Sequence, residues 1–532
     1  MDDTRPGDRF LLVGAGIASL AAAAFLIRDA GVSGTRIRIL EAGARPGGAL
    51  FSGRLPDRPA LYLGNAVRGM DEKADACLWD LLGSIPCLSD PRTTVLDEIR
   101  AANRENPVDA KARLIGADHC VTSPDLRLDA ADRQYLLALL ADGPERELAA
   151  RRIDQVLPAH LIASDFWILW STTFRLRPGS SALDLKISLL RHLDELPRLS
   201  TLTGLRRTRR SEHQSIILPL HDWLRVRGVT FTHGATVTDM DFAGDGDAGR
   251  RATRVHFTSR GTPGTMDLGP HDHILVTLGS VAANAAHGDD ERPPAPDLVH
   301  RDDTWRLWES IARKQPGFGH PDGFTSHVED TAWLSFTLTT TTPDLTWYVS
   351  HLTGNRDGTG GLITFRDSPW LLTLAVPRQP YFTGQLATAR TALGYGMRLD
   401  VPGDHVPVTM PQADGRQLAE ELMGQLGMTR NAAVVRANTR TNSVLLPYAG
   451  SPLLPRHVSD RPDPVPAGAR NFAFLGQYVE IPGDVAFSME YSVRSAMRAV
   501  YGLLGVDREI PAAYQGPHGL EAARRVLEFV RG

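Results

Sequence analysis

Between Arg68 and Asp75 the chain reads RGMDEKAD, one arginine, one lysine and three acids in eight residues, and it turns apolar at Cys77-Leu78-Trp79. A carboxyl carried by such a loop into an apolar pocket rises in pKa and can donate a proton, which is acid/base chemistry. Left in water, the same residues make a charged turn before a helix. Further along, His213 in SEHQSIILPL offers a group that titrates near neutrality. The stretch ANTRTNSVLLPY sets Thr439, Arg440, Thr441 and Asn442 ahead of an apolar segment, which by itself reads as a polar turn before a strand. A glycine turn, GAGIAS at 14–19, offers a different chemistry, the holding of a phosphate by backbone N–H groups.

The elements around that turn fit the phosphate reading. RFLLV (9–13) reads as a buried strand, LAAAAFLIRDAG as an apolar helix, and RIRILE, ending at Glu41, as a second strand. Strand, glycine turn, helix and strand in about 35 residues is the context a dinucleotide fingerprint requires. Gly14 makes the tight turn, and Gly16 lets backbone approach a pyrophosphate. Ser19 stands for the third glycine and is small enough for helix to pack on strand. Glu41 is placed to accept from ribose hydroxyls. ARPGGAL (44–50) follows, with Arg45, Gly47 and Gly48 past the acidic strand end, which favours FAD over NAD. GVTFTHGATVTDM (228–240) reads as a strand pair closing over an adenine, with Val237 in contact. HILVTLGS (273–280) reads as a further buried strand ending in a turn at Gly279. The strand and helix of NFAFLGQYVEIPGDVAFSMEYSVRSAMRAVYGLLG (471–505) would bring a helix N-terminus to the flavin ring, with Gln477, Asp484 and Phe487 as contacts.

Bulk properties bound the rest. A chain of 532 residues exceeds one core, so two or more domains are expected. Hydrophobic residues at 42% and charged residues at 23% are an ordinary globular balance, and a formal charge of -4 gives no reason to expect nucleic acid. The three cysteines, Cys77, Cys87 and Cys120, have no metal-type spacing, so no metal is expected, and they suit a reducing compartment. No apolar run reaches the roughly 18 residues of a membrane span, and the N-terminus lacks a basic signal-peptide region, so the expected location is the cytoplasm.

In blocks and in order, the chain resembles the oleate hydratases, also called myosin-cross-reactive antigens, along nearly its whole length. The matching blocks are RIRILEAGARPGGAL, CLWDLLGSIP (77–86), TVLDEI (94–99), DFWILWSTTFRL (165–176), QSIILPLHDWLRVRGVTF (214–231), TGNRDGTGGLITFRDSPWLLTLAVPRQPYF (353–382), LPYAGSPLLPRHVSDRPDPVP (446–466) and FAFLGQYVEIPGDVAFSMEYSVRSAMRAVY. The resemblance implies an FAD-containing hydro-lyase that adds water to a cis double bond of a long-chain unsaturated fatty acid such as oleate, giving a hydroxy fatty acid. It also implies a flavin that is not consumed and works best reduced.

In that family the segment before the CLWDL block resembles RGGREMENHFE, and one glutamate there serves the water or the alkene. Counting back from Cys77, that glutamate falls on Met70 and the preceding arginine on Gly69, with acids at Asp71 and Glu72 instead. The family's proton-donating tyrosine aligns with His213. Met70, Asp71, Glu72 and His213 are therefore the positions expected at the chemistry, and Thr439, Thr441 and Asn442 those at the carboxylate. Trp167, Trp170, Phe174, Trp347 and Tyr381 are enough aromatics to line an apolar channel.

The expected architecture is an α/β chain, an FAD-binding two-dinucleotide Rossmann-like fold with a mixed α+β substrate domain and a helical C-terminus. Residues 1–110, 205–300 and 465–505 form the FAD-binding domain, 111–204 a mainly helical insert, 301–464 the substrate-binding domain and 506–532 a C-terminal helical segment. LEAARRVLEFVRG (520–532) is amphipathic and packs on its own protein or lies on a membrane surface, making the protein membrane-peripheral. Monomer and homodimer both stay open. Because Met70 and His213 depart from the family, an isomerase or oxidoreductase acting on another unsaturated lipid or polyketide-like acid is the alternative, and a flavin- or lipid-binding protein without chemistry ranks third.

Overall fold

The structure is a computed structural model. It describes residues 7–516 apart from 56–57, 65–66, 119–125, 127, 142–144, 245–248 and 429–431. The amphipathic stretch 520–532 lies outside the described residues, as does Cys120.

A five-stranded parallel sheet carries the N-terminal unit. Its strands are β1 (Arg9–Val13), β2 (Ile37–Glu41), β3 (Thr230–His233), β4 (Asp272–Thr277) and β5 (Phe472–Leu475), in the order β5–β4–β1–β2–β3. Leu12 on β1 lies between Ile39 and Leu275, all three fully buried, which is the continuous apolar run a two-sided parallel strand needs. Helix α1 (Ile17–Arg28) crosses from β1 to β2 and buries every residue from Ile17 to Ile27, so its alanines let it lie close against the sheet and against a C-terminal helix, Met489–Leu504. Arg28 ends α1 on the carboxylates of Asp29 and Asp80, an ordinary favourable cation at a helix C-terminus. The sheet thus draws on three separate stretches of chain. The expected strand pair at 228–240 divides: Thr230–His233 is β3, and Ala235–Ala243 starts a three-stranded antiparallel meander with Arg251–Ser259 and Thr262–Asp267.

A second, seven-stranded mixed sheet forms the other unit, with Trp333–Thr340 flanked by Thr439–Leu446 and Arg390–Gly396 at its centre. Two of its strands, Leu114–Ile115 and Ala286–Gly288, come from outside the 301–464 segment. A helical layer that includes Asp165–Phe174 and Ala182–Arg191 shares a core with one side of this sheet, through Trp167, Trp170, Tyr395 and Val444. The strand Phe472–Leu475 and the helix Met489–Leu504 return the chain to the parallel sheet, beside α1.

Candidate active site

A cleft of about 420 Å³ opens where the parallel strands end. The β1–α1 turn, Glu41, the Gly47–Leu50 turn, Val237, Gly279, Gln477 and Phe487 line it. Gly14 sits at φ +91°, a conformation side chains avoid, and a Cβ added to Gly16 would project into open space. Gly16 caps α1 without a side-chain hydrogen bond, and the first turn holds no acid, so the helix N–H groups stay available for an anion. The Glu41 carboxylate is aimed by two backbone donors, Ala15 N–H and Gly43 N–H, each at 2.6 Å, and keeps lone pairs toward the cleft. Open glycine, uncapped helix and fixed carboxylate together fit a dinucleotide running from Val237 to Phe487.

Most expected cofactor residues meet there, and three do not. Ser19 is buried, with its hydroxyl 2.9 Å from that of Thr277, so it joins α1 to β4. Arg45 is exposed at the rim, its guanidinium 5.5 Å over the Phe51 ring. Asp484 is a buried ion-pair hub: it accepts from Arg191 and, at 2.8 Å, from Arg494, and it does not line the cleft. Gln477 does line it, steadied by a 2.9 Å bond from its amide to Ala486 O.

A smaller cavity of about 110 Å³ adjoins the Phe487 end of the cleft and shares Arg68, Phe487, Ser488 and Met489 with it. The RGMDEKAD loop reaches this chamber in an unexpected way. Met70 and Asp71 pair antiparallel with Leu205 and Arg206. Met70 is then core, packed in the cluster that holds α1. Asp71 is buried, and one oxygen accepts from Lys73 N–H (2.8 Å) and Ala74 N–H (3.1 Å), which closes the turn at the chamber's edge. Glu72 faces solvent, paired with Arg100 at 3.1 Å and Arg206 at 3.3 Å, and touches neither cavity.

Asp75, at the start of the helix Ala76–Leu82, lines the chamber together with Asp71. One oxygen accepts from Asp71 N–H at 2.7 Å and the other from Arg191 at 2.5 Å. Arg191 also holds Asp484, and Arg494 bridges Asp484 to Glu490 (2.6 Å), whose carboxylate caps the same helix through Cys77 and Leu78 N–H. Three buried carboxyls thus share two guanidiniums, an arrangement that favours retention of one proton. Burial, against the pull of Arg191, pushes the Asp75 carboxyl up to about 7.

His213 packs against the Gly47 turn. Its Nε2 lies 3.1 Å from Pro46 O, its ring meets Phe51 edge-on at 5.1 Å, and a Cβ on Gly47 would be 2.9 Å from its Cδ2. Burial lowers its pKa, so the ring is neutral and the proton that its Nε2 carries to Pro46 O is already committed. His213 shapes the cleft without lining it.

Thr439, Thr441 and Asn442 are not one anchor. Strand alternation puts Asn442 beside Thr337, with its amide donating to Tyr62 O at 3.0 Å, and turns the two threonines to the opposite face, where Thr441 meets the helix Gly415–Gln425. None of the three lines either cavity. Of the aromatics, Phe174 lines the chamber, Trp167 and Trp170 are core, Trp347 is exposed, and Tyr381 is buried with its hydroxyl 3.4 Å from Glu212.

The profile of the MCRA family matches residues 8–501. An oleate hydratase of Streptococcus pyogenes serotype M49 (strain NZ131) is 30% identical over 98% of this chain and 89% of its own. A linoleate hydratase of Lactiplantibacillus plantarum is 27% identical over 94% of each. Among solved structures, cyclohexylamine oxidase from Brevibacterium oxydans IH-35A superposes with a TM-score of 0.52 at 13% identity, over 94% of this chain and 99% of that one. A putrescine oxidase double mutant gives 0.53 at 11%, over the same shares. At such identities the likeness is one of fold.

Proposed function

Because this chain belongs to the MCRA family, we propose that it is an FAD-dependent hydro-lyase that adds water to a cis double bond of a long-chain unsaturated fatty acid and yields a hydroxy fatty acid. The observation that carries the reading is the placement of Asp75, a buried carboxyl held by Arg191 and the Asp71 N–H, in a chamber that abuts the dinucleotide cleft.

FAD fits the cleft. The α1 N-terminus and Gly14–Gly16 would hold its pyrophosphate, Glu41 its ribose, Val237 its adenine, and the Gly47–Leu50 turn with Gln477 and Phe487 its ring. When bound, the flavin would supply a polar group at the Phe487 end of the cleft and would not be consumed. The protein must do the proton work. Asp75 transfers a proton to one alkene carbon, water adds through oxygen to the other, and the proton that water releases restores the acid. Arg191 and the Asp71 N–H hold that carboxyl in place, and general acids typically contribute about a hundred- to ten-thousand-fold. Asp71 keeps the turn that aims Asp75, and His213 keeps the flavin turn in shape. Among the described residues, Cys77 and Cys87 are free and buried, which agrees with a reducing compartment, and no helix is long and apolar enough to cross a membrane.

The test is incubation of the FAD-loaded protein with a reductant and oleate or linoleate, followed by product mass. A gain of one water is expected. An unchanged mass with a shifted double bond, or a loss of two hydrogens, would replace hydration by the isomerase or oxidoreductase alternative.

A further inference from the structure

The chamber carries positive charge that proton transfer does not use. Arg68, Arg175 and Arg207 line it in addition to Arg191. Other buried arginines nearby are satisfied: Arg191 holds two carboxylates, and Arg113 donates to Leu362 O (2.9 Å), Leu199 O and the Thr173 hydroxyl (2.7 Å). Among the described residues no oxygen accepts from the guanidinium of Arg175. It rests over the rings of Trp333 (4.5 Å), Phe487 (5.0 Å) and Tyr395 (5.9 Å). Arg207 Nε is buried with no hydrogen-bond partner. The nearby Glu212 carboxylate is taken up by Arg68 N–H at 2.8 Å and the Tyr381 hydroxyl.

Two further features mark the site as built. Arg175 follows the helix Asp165–Phe174 at φ 63°, a left-handed conformation that residues other than glycine rarely hold, and this turn is what directs its side chain into the chamber. Burial lowers the pKa of Arg175 to about 9 and of Arg207 to about 10, against the pull of the Glu212 carboxylate, which neither guanidinium touches in a direct ion pair. Buried guanidiniums without a hydrogen-bonded partner are costly, and a planar guanidinium matches a carboxylate with two parallel bonds.

We propose that the chamber is a carboxylate receptor, in which Arg175 and Arg207, with Arg68 at the wall shared with the cleft, hold the head group of the substrate acid. This rests on the fatty-acid reading above and narrows it. A chamber of about 110 Å³ admits the head group and not a long chain, so the tail leaves past Phe487 and Met489. The double bond presented to Asp75 then lies close to the carboxyl group, and acids of that kind are preferred to oleate, whose double bond is mid-chain.

The FAD-loaded full chain is titrated calorimetrically with a cis-3-alkenoic acid, its methyl ester, oleate, and chloride or phosphate, and each acid is also scored for hydration. In Arg175→Met and Arg207→Met, affinity for the 3-alkenoic acid should fall about ten- to a hundredfold, with weak ester binding unchanged, since each change removes charge-assisted bonds. Arg175→Lys should recover part of the loss. FAD content and melting temperature should hold, which separates lost binding from lost fold. Unchanged acid affinity in both Met variants at full FAD content overturns the receptor. An arginine-dependent response to chloride or phosphate with none to the acids makes it an inorganic-anion site, which also overturns it. Hydration of oleate with the same KM in wild type and both Met variants would sink the receptor while sustaining the hydratase; the absence of hydration with any acid, beside arginine-dependent acid binding, would do the reverse.

Discussion

Gly16→Ala separates cofactor binding from folding. Gly16 has φ -77° and ψ 174°, which alanine adopts freely, and an added Cβ would touch nothing within 4 Å. The apo protein should therefore lose only about 1 kcal/mol, the preference for glycine over alanine at an N-cap, with no strain or clash added to it. In the FAD complex the same methyl stands where backbone must approach the pyrophosphate. Losing one N–H bond to a charged group costs about 1.5–3 kcal/mol, or roughly ten- to a hundredfold in Kd. Gly14→Ala is the contrast: its φ of +91° makes alanine strained in the apo protein too, by about 1–3 kcal/mol. Thermal melts without FAD, and flavin fluorescence titrations with it, read the two effects apart. Equal FAD affinity for Gly16→Ala and wild type would refute the placement of the pyrophosphate at this helix. A collapse of apo stability would refute the open space at Gly16.

Asp75→Asn should cut turnover about a hundredfold or more. Wild-type activity should fall as pH rises through about 7, as the donor loses its proton, and the variant's residual rate should lack that step in a stopped assay. The sign for stability is the same: the folded pKa is raised above the usual carboxyl value of about 3.9, so the contribution is complete below that pH and is lost as pH climbs through about 7, a slope denaturant melts should find flattened in Asp75→Asn. Glu72→Gln should leave turnover intact and cost at most about 1 kcal/mol, because its partners are exposed, and loss of activity there would return catalysis to the loop's outer face. Asp484→Asn should destabilise by about 3–5 kcal/mol in urea melts, since it strips a carboxylate from two buried guanidiniums. His213→Ala should weaken FAD binding more than it slows the saturated enzyme, as seen by comparing kcat at full occupancy with flavin Kd.

The nucleotide fold was legible because its signals are local. Strand, glycine turn, helix and acidic strand end lie within residues 9–41, and the structure joins them by adjacent pairing of β1 with β2. The late return of Phe472–Leu475 could be anticipated from its apolar run before a helix. The proposed acid, Asp75, was harder to find, because its direction is set from far away. Counting back from Cys77 favours Asp71 and Glu72, but pairing with Leu205 and Arg206 turns Glu72 outward, and Arg191, 116 residues from Asp75, draws that side chain in. Linear spacing contains neither contact. The Thr439–Asn442 cluster is divided for a simpler reason: four consecutive polar residues on a strand face two ways. Arg175 left no sequence signal, since a left-handed arginine after a helix looks like any basic C-terminus.

The most direct measurement is product analysis of the FAD-loaded enzyme with unsaturated fatty acids in water enriched in heavy oxygen. The account predicts a hydroxy acid that carries the heavy oxygen, formed by wild type and strongly reduced in Asp75→Asn. A product without the label, or labelled product formed equally by Asp75→Asn, would contradict it.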